Sequence, residues 1–498
     1  MTLAQIGVPQ SESFTAPSVS YVGLAPILVL IGGAALILVI TSLRKQRFSA
    51  GVWTIMGLAV GGCSFVTSVA LWSKIDAGNK PFTTVSGAVV IDGFSVFFFG
   101  LLSLIVILTS LSAESYLDQR KLERREFYLL MFMSAAGGMC MAAANDLIVI
   151  FIGLEILSIA LYVLTGYHRD RASSREAALK YFLLGALASA LFLYGSALLY
   201  GATGSTNLSA IASFLSRYAL LNSGLLVAGM ILVLIALAFK VSLVPFHMWT
   251  PDVYQGAVTP ATGFMAAAAK AAGFAAMLRV FDAVLLTNRL DWQPIVYALA
   301  VVTLIIGPFL AIKQTSIKRM LAYSSVTNAG FILLGVHAGT EKGIEGSLFY
   351  ILAYSIFVLG SFMVVSVVTP IGDDNIDRFK GLSARRPALA FVFTVLLLAQ
   401  TGVPLTSGFF AKFGVLAAVV EQRSYALAVI AMLSSCVAAF AYLRVIVKMY
   451  MNPPDGEREI RVPAAASAAL GFTVGLTLLF GVVPQAALHL VQNANIHL

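Results

Sequence analysis

Three lysines and one glutamate stand inside long apolar stretches of this sequence: Lys240 in LIALAFK, Lys270 in TGFMAAAAKAAGFAAM, Lys412 in GFFAKFG and Glu155 in NDLIVIFIGLEILSIALYVLTGY. A charge at the centre of a membrane helix costs roughly 3 kcal/mol, so such residues mark a pathway for ions or protons. A buried carboxylate takes a proton or finds a cation. A buried amine exchanges its proton as hydration or a neighbouring charge changes. Glu155 is nine residues from Asp146 and twelve from Tyr167, so about 14 Å of helix separates it from the nearer end. Lys180, one turn inside AALKYFLLGALASA, is its nearest candidate partner in sequence. The alternative for Lys180 is to snorkel to the surface. Lys240 precedes Pro245 by five residues and Lys412 follows Pro404 by eight. A proline breaks the helix and frees carbonyls that need polar partners. Charge beside a broken helix is the arrangement that transporters use at the membrane midplane. His247, in VPFHMWTPDVY, either passes protons between the first break and the adjoining loop or satisfies the freed backbone.

These residues need membrane helices to hold them. The chain has 498 residues, 59% hydrophobic and only 11% charged, against about 25% charged in soluble domains. The expectation is an all-α polytopic membrane protein. Fourteen apolar runs are long enough to cross about 30 Å of hydrocarbon. Three fall in an N-terminal segment, 1–126, five in 127–285, five in 294–451 and the last at 463–491. Spans seven and twelve carry the proline breaks. They are five apart and run in opposite directions, which predicts two inverted five-helix repeats, spans 4–8 and 9–13. Loops after odd-numbered spans hold nineteen Lys and Arg, such as Arg120, Lys121, Arg124 and Arg125, and the opposite loops hold seven, Arg279 among them. The richer set faces the cytoplasm, so both termini lie on the other side.

The net charge of +9 is therefore topological, and nucleic acid is excluded as a partner. Cys63, Cys140 and Cys436 stand singly. They form no CxxC pair for zinc or an iron–sulfur cluster and read as small buried hydrophobes. No Gly-rich nucleotide motif is present. No cofactor or metal is expected in this chain.

The stretches FKVSLVPFHMWTPDVYQGAVTPATGFMAAAAK, SIKRMLAYSSVTNAGF and GVPLTSGFFAKF resemble the antiporter-like membrane subunits of NADH:quinone oxidoreductase, respiratory complex I, over essentially the whole chain. The FHMWTPDVYQGA stretch is similar to the subunit N branch. Subunits M and L typically read FHTWLPDA there, and subunit M has glutamate in place of Lys412. The resemblance implies proton translocation driven by electron transfer elsewhere. It implies that Glu155 and Lys180 form the charged pair of an uptake half-channel, Lys240 a central switch, Lys270 a bridge and Lys412 the exit-side lysine. It also implies that FMN, iron–sulfur clusters, NADH and quinone are used by other subunits. Partners would be those subunits, above all the neighbouring antiporter-like ones, and membrane lipid, in a bacterial inner membrane rather than a mitochondrial one. The alternative from another class is a stand-alone or Mrp-type cation/proton antiporter with the same charged line.

Overall fold

The structure, a computed structural model, describes residues 18–43, 50–76, 78, 80–122, 125–218, 223–370, 372–454 and 460–497. Arg44, Lys45, Arg47, Arg124 and Arg458, five of the basic loop residues counted for orientation, lie outside them. Three helices lead: α1 (Ala25–Leu43), α2 (Ala50–Asp76) and α3 (Gly93–Gln119). Next come α4 (Arg125–Ala143), α5 (Leu147–Thr165), α6 (Ala172–Thr203), a short surface helix α7 (Leu208–Arg217), α8 (Gly224–Lys240), α9 (Trp249–Gly256) and α10 (Thr259–Met277). The second half holds α11 (Arg289–Ile312), α12 (Ile317–Ala338), α13 (Glu341–Val368), a single turn α14 (Leu382–Arg385), α15 (Pro387–Thr401), α16 (Ser407–Glu421), α17 (Tyr425–Met451), α18 (Ala464–Val482) and α19 (Gln485–Gln492).

Eleven helices among the described residues are long and apolar enough to cross a membrane. Three further expected spans do not meet that measure, each for a physical reason. α8 and α15 are apolar but stop at the two breaks after 17 and 15 residues. α12 has the length but carries Lys318, Arg319, Ser324, Ser325, Asn328 and His337. In the first half α4 packs on α5, α5 on α6 and α6 on α8. In the second α11 packs on α12, α12 on α13 and α13 on α16.

Several expectations are corrected. The chain is not purely helical, because Phe82–Thr84 and Val89–Ile91 pair as an antiparallel hairpin before α3. Ser86 and Gly87 adopt positive φ at the centre of its turn, which Ala88 N–H closes on the Val85 carbonyl at 3.0 Å, the sign that twisted hairpin turns favour. The run 463–491 is not one continuous helix, since Pro484 stands between α18 and α19 and offers no N–H to continue the ladder. Cys63 and Cys436 are exposed on outer helix faces, where a small apolar thiol suits lipid.

Arg279, counted as a loop charge, is wholly buried in a π-helical turn, Leu278–Val284, that ends the α10 span. It donates two parallel bonds of 3.1 Å to the equally buried Asp92 carboxylate, and its Nε reaches the Ala142 carbonyl at 3.0 Å. Asp92 also caps α3 by accepting from Ser95 N–H at 2.8 Å. The N–H of His497 donates to the same carboxylate at 3.0 Å. One ion pair thus ties the hairpin, α3, α4, α10 and the 493–497 segment. Removing one member of such a pair strands the other charge, at about 3–5 kcal/mol. Asp92→Asn, which retains a cap acceptor, should therefore lower the unfolding free energy of the detergent-purified protein by that order, as read in a denaturant titration. A loss below about 1 kcal/mol would show that the pair is not the tie.

Candidate functional site

The first break begins where α8 ends. Ser242 turns back with φ of +66°, and Val244–Pro245 is a cis bond. The freed polar groups find partners: Val244 N–H donates to Thr303 Oγ1 on α11 at 3.0 Å, and the Phe239 carbonyl accepts from Trp249 Nε1 at 3.1 Å. Lys240, the last residue of α8, is 3% exposed. Its Nζ donates to Ser158 Oγ on α5 at 2.7 Å and lies 5.9 Å from the Tyr181 ring centre. Glu155, Ser158 and Tyr162 follow at helical spacing on α5 and share a face. One Glu155 carboxylate oxygen is buried there without a hydrogen bond. The break has placed a lysine against a hydroxyl, one turn from an unanswered carboxylate.

Every residue of α10 is buried. Its alanines and glycines let neighbouring helices close on it. Lys270 Nζ donates to the Ser325 carbonyl on α12 at 2.6 Å. Ser325 Oγ shares hydrogen bonds with Tyr354 (2.7 Å) and Tyr254 (3.3 Å). At the second break α15 ends on Gly402, with φ of +87°. A Cβ there would lie 2.7 Å from Lys412 Cδ, so only glycine lets the lysine pass. Lys412 Nζ donates to the Thr401 carbonyl at 2.7 Å and to Ser435 Oγ at 2.8 Å, with the Phe331 ring 4.6 Å away.

Between Lys270 and Lys412 runs a set of buried polar residues that the sequence reading passed over: Ser324, Ser325 and Asn328 on α12, Tyr350 and Tyr354 on α13, Gln400 on α15 and Tyr442 on α17. Their only signal in sequence was the polar run SSVTN in an otherwise apolar helix.

Lys180 is placed differently from expectation. It is paired not with Glu155 but with Asp252 on α9 and Glu176 on its own helix, both at 2.8 Å. It is also half-exposed, because it lines a polar cavity of about 340 Å³ with Arg171, Gln255, Lys318 and Asp374. Two carboxylates in that cavity outweigh one in an apolar wall. Asp252 also accepts from Arg319 at 2.7 Å. Partial burial works to raise its carboxyl, but the hydrogen bonds and charges of Lys180 and Arg319 prevail and hold it below the usual carboxylate range. Lys318, counted as a loop charge, is buried and donates to the Ala257 carbonyl at 2.9 Å. His247 is half-buried beside the first break, its ring 6.2 Å from that of Tyr323. Arg444 binds the Ile312 and Gln314 carbonyls at the end of α11 and Lys448 pairs with Asp377, so both are structural.

The sequence profile of the NADH:quinone oxidoreductase/Mrp antiporter transmembrane family matches residues 144–438. An NADH-quinone oxidoreductase subunit N of Trichlorobacter lovleyi is 39% identical over 472 residues, 94% of this chain and 95% of its own. A chain of respiratory complex I from Thermus thermophilus with bound aureothin matches with a TM-score of 0.79 at 31% identity, over 93% of this chain and 98% of that one. A chain of the Mrp complex from a Dietzia species reaches a TM-score of 0.85 over 95% and 97%, at 20% identity, which carries fold alone.

The Asp252 geometry has a pH consequence. A carboxyl depressed in the folded state contributes its stability in full above its unfolded value, about 3.9, and loses it as pH falls through the lower folded value. Asp252→Asn should flatten the acid arm of a thermal-stability profile below about pH 4 and leave the neutral region nearly level. An unchanged acid arm would mean that the α6–α9–α12 tie contributes nothing.

Proposed function

Given that the chain belongs to the subunit N branch of the NADH:quinone oxidoreductase/Mrp antiporter membrane family, we propose that Glu155, Lys180, Lys240, Lys270 and Lys412 form its proton path. The protein is a proton-translocating, antiporter-like subunit of NADH:quinone oxidoreductase, respiratory complex I. It is a multi-pass protein of the bacterial inner membrane and works as one subunit of a multi-subunit assembly. FMN, iron–sulfur clusters and quinone serve in other subunits; in our reading this chain holds none of them.

The observation that carries the path is how the three buried lysines are answered. Each donates to a neutral oxygen, Ser158, Ser325 or Thr401 together with Ser435. A lysine held by a neutral acceptor can release and regain its proton as the surrounding charge shifts. Moving one charge against 100 mV takes about 2.3 kcal/mol, which is within reach of such shifts. Lys180, resting on Asp252 and Glu176, stands at the uptake side. His247 is a secondary station at the first break.

We read fourteen spans, with spans 4–8 and 9–13 as inverted repeats at 127–285 and 294–451. α4, α5, α6 and α8 pack on one another in turn as α11, α12, α13 and α15 do, which supports this. The loop-rich face bearing Arg171, Lys318 and Arg319 is then cytoplasmic and both termini lie on the other side. A Mrp-type cation/proton exchanger shares the fold, but the full-length relatives at about 39% identity are subunit N chains.

Two outcomes check the reading. Purified in mild detergent, the tagged chain should bring flavin and iron–sulfur subunits with it, seen by mass spectrometry, and show NADH:quinone activity that does not depend on Na⁺. Recovery with other antiporter chains and no redox centres would favour exchange. In the assembled enzyme Lys240→Met and Lys412→Met should each lower protons pumped per NADH and slow turnover at least tenfold, the equivalent of about 1.4 kcal/mol. Unchanged ratio and turnover would remove that lysine from the path.

A further inference from the structure

The polar set between Lys270 and Lys412 has a fixed polarity, and it converges on an amide. Ser324 Oγ donates to Gln400 Oε1 at 2.8 Å. Its proton is committed there, so the 2.5 Å contact with Tyr442 has the phenol as donor. Asn328 Nδ2 donates to the Ser324 carbonyl at 2.8 Å and receives Tyr350 O–H on its own carbonyl at 2.7 Å. On the far side Gln400 Nε2 donates to Ser361 Oγ at 2.9 Å. Ser361 gives its proton to the Phe357 carbonyl one turn earlier, at 2.8 Å. That commitment fixes the amide, because the reversed orientation would need Ser361 to donate to Gln400 instead. The sequence of donors therefore runs Tyr442 to Ser324 to Gln400, then from the amide nitrogen through Ser361 to a backbone carbonyl, where it ends.

A hydroxyl both accepts and donates and can relay a proton. A carboxamide presents a carbonyl that only accepts and an NH₂ that only donates. Proton relays in membranes are built from Asp, Glu, His and Lys rather than from amides. Gln400 is 1% exposed and immediately precedes Thr401, whose carbonyl holds Lys412. Its side chain accepts from the Ser324 hydroxyl, and its neighbour Thr401 holds the lysine of the second break. We propose that Gln400 is the insulating residue of the proton path. Its amide, locked by Ser361, keeps the hydroxyls on the Lys270 side from passing a proton to Lys412, and a proton crosses when the amide turns away and Ser324 meets water. Gln400 is a positioning residue, and the proposal rests on the reading of Lys270 and Lys412 as stations.

The test uses the whole assembly in liposomes. It reads protons pumped per NADH and passive proton uptake under an imposed membrane potential without NADH. Gln400→Glu replaces the insulator with a group that both takes and gives a proton. It should raise passive uptake several-fold and lower protons per NADH, while Gln400→Met should leave passive uptake at the wild-type level. A purely structural role would move turnover in both variants and leave the leak alone. The proposal is overturned if Gln400→Glu assembles normally and matches wild type in both readings, or if Gln400→Met leaks as much. Should Gln400→Glu fail to assemble, Ser361→Ala removes only the hydroxyl that locks the amide. It should raise passive uptake and lower the ratio, and wild-type values there would equally overturn the proposal. Lys412→Met separates the two failures. If it abolishes this subunit's pumping while the Gln400 and Ser361 variants behave as wild type, the gate is wrong and the path stands. If Lys412→Met pumps normally, the path itself is wrong.

Discussion

A positive charge enclosed by apolar helices has to be met by oxygen, and the kind of oxygen separates the buried arginine of this molecule from its three buried lysines. Arg279 meets a carboxylate, Asp92, through two parallel bonds with both side chains fully enclosed. Losing either partner leaves the other unanswered, so the pair is a fixture. Among the described residues, Lys240, Lys270 and Lys412 meet no carboxylate. Their acceptors are hydroxyls and backbone carbonyls, which bind an ammonium without requiring it to stay charged. The same contrast sets the architecture. The second break supplies the Thr401 carbonyl, the Ser324–Asn328 run supplies the Ser325 carbonyl, and a hydroxyl within unbroken α5, Ser158, answers the lysine at the first break.

Much of this was legible in the amino acids. Charge inside apolar runs identified Glu155 and the three lysines, and proline beside Lys240 and Lys412 located both breaks. Those signals are strong because hydrocarbon penalises exceptions, so an exception in sequence corresponds to a definite place in space. The motif around residues 239–270 carried the family, which a match over 94% of the chain then established.

What was not legible depends on contacts between distant segments. Lys180 is the nearest candidate partner to Glu155 in sequence, so sequence alone suggested a pair. The competing carboxylate, Asp252, is 72 residues away from Lys180 and comes into reach only once α9 folds beneath α6. Arg279 looked like a loop residue because it follows an apolar run, and only its distance to Asp92, 187 positions earlier, shows it to be interior. The Ser–Tyr–amide set was missed for a different reason. Hydroxyls and amides carry no charge and are common in helices, so their type is a weak signal until their hydrogen bonds are seen together.

The complete enclosure of α10 bears on how the protein is made. A helix with no side facing lipid cannot reach its final surroundings by entering the bilayer alone, because its neighbours are synthesised on either side of it in time. α3, α4, α5 and α8 precede it, while α12 and α13 follow. Until α12 arrives, the Ser325 carbonyl that holds Lys270 does not exist, and a lysine waits in the membrane without its acceptor. Lys270 therefore meets its acceptor only after residue 325 has been added to the chain. The wholly enclosed helix is thus completed by partners synthesised after it.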